Sequence, residues 1–246
     1  MIPKIIHHTA PSDKNQWSPI WYECKKSWEN NFPGFNFMMW TDEDNRDLVK
    51  KDYPNFLNLY DSFPHYIMRV DFIRFCILHK YGGIYSDMDI YCYKNFYDHL
   101  VEDTYIIESW PQWGETVQNS LMISSSNNNF WIECMEKSKE FYNSNIEIFK
   151  LYEQLNYSSM VELCHKTGGP KLISSAINSY SKEIYILSKE LFNPIVEYQF
   201  NWLLSNPELK SKTVDNYNDL NSNETTVYTR HYLTGTWTEN FITKSN

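Results

Sequence analysis

Disulfide spacing, long apolar runs and an excess of positive charge are all missing from this 246-residue chain, and each absence removes a class of function. Its five cysteines, at 24, 76, 92, 134 and 164, are scattered with no C-x-x-C pair, so neither a disulfide framework nor a zinc site is expected. That usage suits a reducing compartment, and a cytoplasmic location is the expectation. No stretch approaches the roughly 18 apolar residues that span a bilayer, and the opening Met1 to Ile6 carries no apolar signal core. A soluble chain is therefore expected, meeting any membrane only peripherally. Lys and Arg number 22 against 31 Asp and Glu, a formal net charge of -9, which argues against nucleic-acid binding and against a polybasic membrane anchor. So acidic a protein has to hold a phosphate ligand through a metal or a few local cations. The phosphate-cradling pattern G-x-x-x-x-G-K-[ST] is absent, which excludes the usual nucleoside triphosphatase loop.

Aromatic residues are in surplus, at 17% of the chain with 19 Tyr and 9 Trp. Polar-tipped rings suit stacking on sugars and bases, and they also replace Phe in a core. The length accommodates one large α/β domain. Ile2 to His8 reads as a buried first strand with His7-His8-Thr9 at its carboxyl end, where open α/β sheets face their ligand crevice. Ser18-Pro19 caps a helix to about Asn30, which Phe32-Pro33-Gly34 breaks. Phe35 to Trp40 reads as a second strand, and Thr41 or Asp42 caps an acidic-to-basic helix through Lys51. Such alternation predicts βαβ units and a mostly parallel sheet. Thr104 to Glu108 and Ser120 to Ile123 are strand-like, with an aromatic loop from Trp110 to Trp113 between them. Helices are expected from Asn127 to Tyr142, from Asn145 to Tyr157, and from the Lys166-Thr-Gly-Gly-Pro170 turn to about Tyr180. Leu209 to Glu224 reads as a loop before a strand-like Thr225 to Thr229.

Residues 69 to 90 organise the rest. His65 to Tyr81 reads as a helix stopped by Gly82-Gly83, where a left-handed cap is easiest. At about 100° per residue, Ile67, Val70, Ile77, Leu78 and Tyr81 share an apolar face, with Arg69, His79 and Lys80 opposite. Asp71 and Arg74 fall on the apolar side at i, i+3 and can touch. Desolvating two charges costs several kcal/mol per ion and adds little net stability, so such a pair points beyond a salt bridge to the binding of polar ligand groups. Ile84 to Tyr91 alternates as a strand, which would place Asp87 and Asp89 on one face. Neighbouring carboxylates repel, and a divalent cation beside them relieves the repulsion. Oxygen donors of this kind select Mg²⁺ or Mn²⁺ over zinc.

Taken in order, four blocks resemble glycosyltransferase family 32, which shares a sugar-binding region with an Asp-x-Asp motif and includes capsular polysaccharide enzymes and initiating mannosyltransferases. They are Ile2-Pro-Lys-Ile-Ile-His7; Asp71-x-x-Arg74 with Leu78, Tyr81-Gly-Gly-Ile-Tyr85 and Asp87-Met-Asp89; Thr167-Gly-Gly-Pro170, with one glycine more than the family's turn; and His231 with Trp237, where Thr236 stands in place of serine. The resemblance implies an α/β fold of the GT-A type over 1–246 as a single catalytic domain, with a helical acceptor-side insertion around 125–165. It implies a retaining, metal-dependent hexosyl transfer from a nucleotide-sugar, UDP-hexose or GDP-mannose, to a glycan or other hydroxyl acceptor. Asp87 and Asp89 would hold Mn²⁺ or Mg²⁺ and the diphosphate, Asp89 more directly, with His231 completing the metal site. Asp71 and Arg74 would hold the sugar hydroxyls, so that Asp71, Arg74, Asp87 and Asp89 form the catalytic group. His7, Tyr85, Gly169, His231 and Trp237 would line the donor, with Glu108, Glu115 and the Gln118-Asn119 pair as candidates near the anomeric carbon. A lipid-linked acceptor would be met by the surface at 110–160. The alternatives are a non-catalytic nucleotide-sugar or glycan-binding protein retaining the fold, and a phosphohydrolase, disfavoured because no further Asp/His cluster has suitable spacing.

Overall fold

Local caps set the first half of the chain. The computed structural model describes residues 1–110, 115–194 and 227–234. Trp113, the segment 209–224, Thr225 and Trp237 lie outside the described residues. Strand β1 (Ile5–Thr9) leads into helix α1 (Pro19–Asn31), which has proline at its first position and ends where the Phe32 N–H bonds the Trp28 carbonyl. After β2 (Asn36–Trp40), Thr41 and Asp44 cap α2 (Asp42–Asp52) reciprocally, each side chain accepting from the other's backbone N–H. A short helix, α3 (Leu57–Ser62), follows; six residues carry too little period to be read from sequence. The His65 side chain then caps α4 (Tyr66–Tyr81) by accepting from the Ile67 N–H.

The remaining elements are β3 (Gly83–Ser86), β4 (Ile90–Cys92), β5 (Thr104–Glu108), β6 (Val117–Ser124), α5 (Asn129–Ser144), α6 (Ile146–Lys150), α7 (Tyr157–Thr167), α8 (Pro170–Ser179), β7 (Tyr185–Leu187), α9 (Lys189–Phe192) and β8 (Thr229–His231). Six strands form one sheet in the order β2-β1-β3-β6-β5-β7. β1 runs parallel to β2 and β3, and β5 parallel to β7, while β6 is antiparallel to both its neighbours. The sheet is thus mostly parallel, as expected, and a separate antiparallel ribbon pairs β4 with β8.

Period-two alternation sends each strand's side chains into two cores. Tyr85, Ile106 and Met122 join Phe72, Phe75, Trp131 and Ile173 beneath α4, α5, α7 and α8. Ile6, Ile84, Ile107 and Ile123 point the other way, onto Trp28, Phe32, Phe96 and Phe192. With α5 packed along it and further helices around it, α4 is buried on almost every side, including Met68, Phe72, Ile73, Phe75 and Cys76, which the expected single apolar face leaves out. Its amphipathic reading was too narrow because a helix between a sheet and other helices has little solvent face. Two further expectations are corrected. The helix expected at 145–157 is broken into α6, a single 3₁₀ turn and the start of α7. The strand expected at 84–91 is interrupted: Asp87 to Asp89 form a turn, closed by the Ile90 N–H on the Asp87 carbonyl.

The double glycine sets how closely β3 follows α4. Gly82 and Gly83 have φ of +62° and +92°, and a Cβ on Gly83 would lie 2.5 Å from the Ile5 carbonyl oxygen. Gly83→Ala therefore meets a disfavoured backbone, at about 1–2 kcal/mol, and pushes β1 away from β3. Thermal unfolding is expected to move down by roughly 2–8 °C, at about 2–4 °C per kcal/mol for a chain of this size. An unchanged midpoint would mean that the β1–β3 contact is not needed for stability.

Candidate active site

Asp71 and Arg74 sit one turn apart on α4, both nearly buried, with Arg74 Nη1 3.3 Å from Asp71 Oδ1. The guanidinium spans more than this pair. Its Nη1 donates to the Asn119 carbonyl at 2.8 Å, its Nη2 lies 3.0 Å from Asp87 Oδ1, and its plane lies 4.9 Å from the centre of the Tyr85 ring. Asn119 in turn donates from Nδ2 to Asp71 Oδ1 at 2.8 Å. The Arg74 Nε is buried without a partner.

Asp87 is delivered by the end of β3, where its N–H bonds the Ser120 carbonyl at 2.8 Å. The Tyr85 hydroxyl donates to Asp87 Oδ1 at 2.9 Å; its single proton is thereby used, so Thr9 donates to the Tyr85 oxygen at 2.8 Å. Asp89 is delivered by the turn and held from the far end of the chain. Its Oδ2 accepts from both the N–H and the hydroxyl of Thr234 at 2.8 Å, and its Oδ1 lies 3.0 Å from His231 Nε2. The β4–β8 ribbon places His231 opposite Ile90, and the Tyr232 N–H closes on the Asp89 carbonyl at 2.9 Å.

These surroundings pull the two carboxylates apart in acidity. Burial, only partly offset by Arg74, raises Asp87 to about 6. Burial also acts on Asp89, but His231 and Thr234 overcome it and hold the group down at about 2. The reciprocal effect raises His231 against its own burial, through Asp89. Asp71 is raised by burial, with Arg74 the main opposing charge. Ligand atoms of Asp87, Asp89 and His231 all lie within 4.8 Å of one another. Two carboxylates and an imidazole, with His231 Nδ1 buried and unpartnered on the far side of the ring, form a donor set that fits a divalent cation of the Mn²⁺ type.

The structure thus brings Asp71, Arg74, Tyr85, Asp87, Asp89 and His231 together. Gly169, expected to line the donor, stands at the N-cap of α8 and is buried. His7 is a correction. It is fully buried, Nε2 donates to the Gly82 carbonyl at 2.9 Å and Nδ1 accepts from the Trp40 indole at 3.1 Å, so neither ring nitrogen is left for a donor molecule. Burial lowers it to about 4 and keeps it neutral, a structural tie between β1, β2 and the double glycine. Two participants went unread in the sequence. Thr234 holds Asp89, and Asn193, fully buried, accepts the His231 N–H and donates to Gln118. Single polar residues in loops carry no periodic signal, so neither stood out.

The family described as "Glycosyltransferase sugar-binding region containing DXD motif" matches residues 18–112. Inositol phosphoceramide mannosyltransferase 3 of Schizosaccharomyces pombe is 45% identical over 91 residues, 37% of this chain and 25% of that protein. Mannosyl phosphorylinositol ceramide synthase SUR1 of Saccharomyces cerevisiae is 29% identical over 141 residues, 57% of this chain and 36% of that protein. The chain therefore spans only about a quarter to a third of the length of these curated relatives. Among solved structures, the PaToxG glycosyltransferase superposes with a TM-score of 0.50 at 17% identity, over 72% of this chain and 69% of that one, a likeness of fold.

Proposed function

From the match of residues 18–112 to the glycosyltransferase sugar-binding region containing a DXD motif, we propose that the chain is a glycosyltransferase that transfers a hexose, with retention, from a nucleotide-sugar to a hydroxyl acceptor with the aid of a divalent cation. The observation that carries this reading is the convergence of Asp87, Asp89 and His231 beside the buried Asp71–Arg74 pair. The names of the relatives favour mannose, hence GDP-mannose ahead of UDP-hexoses as donor. Asp87, Asp89 and His231 would hold Mn²⁺ or Mg²⁺, which supplies Lewis-acid offset of the charge developing on the diphosphate. Asp71 accepts hydrogen bonds from sugar hydroxyls, and Arg74 fixes its distance from Asp87.

The groups considered near the anomeric carbon all have internal partners. Glu108 pairs with Lys189 at 2.8 Å, Glu115 with His165 at 3.0 Å, Gln118 with Asn193 at 3.1 Å and Asn119 with Asp71 at 2.8 Å. That commitment favours front-face attack, in which the leaving phosphate takes the acceptor's proton, over a covalent carboxylate intermediate. Incubating the protein with GDP-mannose, UDP-glucose, UDP-galactose and UDP-N-acetylglucosamine in Mn²⁺, and following release of nucleoside diphosphate, tests the reading. Turnover of none of them, with and without glycan or inositol-lipid acceptors, would favour the non-catalytic sugar-binding alternative.

The pH dependence of cation binding follows from the two acidities. Asp87 must be ionised to act as a ligand, and it is raised to about 6; His231 must give up a proton that Asp89 helps it keep. Mn²⁺ affinity is thus expected to climb about tenfold per pH unit through the acid range for the Asp87 proton alone, and to go on rising through the neutral range as His231, held above its ordinary value by Asp89, gives up its proton. Calorimetric titrations at about pH 5 and about pH 7 check this, and equal affinities would remove Asp87 from the ligand set.

The chain 1–246 is read as one catalytic domain whose acceptor side includes the helices at 125–165. Within that span α5 belongs to the core through Phe130, Trp131, Cys134 and Met135, whereas Ile146, Ile148, Leu151 and Tyr157 are exposed. No helix among the described residues is long and apolar enough to cross a membrane. Because the relatives named above act on an inositol phosphoceramide, the exposed apolar group is our candidate for peripheral contact with a lipid-linked acceptor. Cosedimentation with phosphatidylinositol vesicles, weakened by Ile148→Glu, is the expected result, and undiminished binding by the variant would exclude this face. The cysteines, all free and buried, are compatible with the reducing, cytoplasmic setting proposed from their spacing.

A further inference from the structure

Glu115 and His165 stand apart from the cation site. The Glu115 side chain is only 4% exposed, and its Oε1 lies 3.0 Å from His165 Nδ1. A carboxylate so far from water needs a partner, and the end of α7 supplies it. That end can seat on α4 only because it lacks side chains. A Cβ on Gly168 would lie 3.0 Å from Asp71 Cβ, and one on Gly169 would lie 2.9 Å from the His165 Cα. His165 is therefore carried to within one helical turn of the contact with Asp71, and when protonated it opposes the effect of burial on the Asp71 carboxyl. From the other side, Arg74 and Asn119 both engage Asp71 Oδ1. Along this row acids and bases alternate: Glu115, His165, Asp71, Arg74, Asp87. Such a row sets a basic group between each pair of acids, and its outermost member is a buried acid with no direct reach to the cation ligands.

We propose that Glu115 and His165 are positioning residues for the donor sugar: Glu115 fixes the imidazole, and the imidazole supports the Asp71 carboxylate that meets the sugar hydroxyls. The inference rests on the glycosyltransferase reading, and it separates the sugar half of the donor from the nucleotide half. In Mn²⁺, calorimetric titration of GDP, GDP-mannose, UDP and UDP-glucose into the wild type, His165→Ala, His165→Asn and Glu115→Gln reads the two halves independently. His165→Ala is expected to weaken whichever nucleotide-sugar the wild type binds by about tenfold, the scale of one charged hydrogen bond, while leaving the matching nucleoside diphosphate unchanged. His165→Asn, which keeps a donor toward Glu115, is expected to recover part of the loss, and Glu115→Gln to show an intermediate one. If His165→Ala does not fold, Glu115→Gln carries the same comparison with less change of shape. Equal weakening of the nucleotide-sugar and the nucleoside diphosphate, or no change in either, overturns the proposal. A wild type that binds none of the four ligands overturns the glycosyltransferase reading, and the proposal falls with it.

Discussion

Asp89→Asn is expected to fold and yet to lose Mn²⁺-dependent binding of a nucleotide-sugar by about a hundredfold or more. The fold should survive because an amide can take over every contact Asp89 makes. Its oxygen accepts from the N–H and hydroxyl of Thr234, and its NH₂ donates to His231 Nε2, which no longer has a carboxylate to hold its proton. The site changes by one charge at an unchanged shape. A divalent cation, however, loses its most acidic ligand, the one held ionised at about 2. Asp89→Ala should behave differently. It strands His231 and the Thr234 donors, loosens residues 229–234 from the turn after β3, and is expected to cost about 3–5 kcal/mol of stability. Circular dichroism melts distinguish the two variants, and calorimetry with Mn²⁺ and donor reads the binding. An asparagine variant that keeps wild-type affinity would show that Asp89 is a structural tether and no ligand.

Arg74→Lys, which conserves charge, is expected to lower kcat/KM by about 10² to 10³-fold. The guanidinium's planar fork reaches Asp71, Asp87 and the Asn119 carbonyl together, and its face lies over Tyr85. A lysine ammonium is a point charge on a flexible stem and can satisfy one of these carboxylates at a time. The sugar and diphosphate halves of the site would then lose their common spacer. Arg74→Met goes further, leaving the buried Asp71 and the half-buried Asp87 with no cation between them, and is expected to be less stable by about 3–5 kcal/mol with Asp87 raised still more. Steady-state kinetics for the lysine variant and denaturant melts for the methionine variant measure the two effects. Lysine kinetics within a few-fold of wild type would mean that Arg74 serves only as a neutralising charge.

Much of this site was legible in the sequence because its parts announce themselves locally. The i, i+3 spacing of Asp71 and Arg74 on an apolar helix, the double glycine and the close pair Asp87 and Asp89 all survive in the structure, with distances that make them one network. The pairing of the two aspartates has another cause than the one expected. A tight turn brings them together and strand alternation does not, because β3 ends at Ser86. His7 looked like a ligand because strand ends face crevices in such folds, but the buried Trp40 indole and the Gly82 carbonyl claim both of its nitrogens. What sequence could not carry is the closure from afar. Thr234 meets Asp89 across 145 residues of chain, and Asn193 meets Gln118 across 75. Contacts of that span are set by the ribbon of β4 and β8 and by the seating of α9 beside it, neither of which has a local pattern long enough to read.

The claim on which the rest depends is that Asp87, Asp89 and His231 hold a divalent cation that in turn receives the donor diphosphate. Titrating GDP-mannose and UDP-glucose into the protein at neutral pH, once in Mn²⁺ and once in EDTA, addresses it directly. The account predicts saturable binding of one of the two donors in Mn²⁺, a loss of at least about a hundredfold in EDTA, and the same loss in Asp89→Asn with Mn²⁺ present. Binding of equal strength in EDTA, or in the asparagine variant, would contradict it.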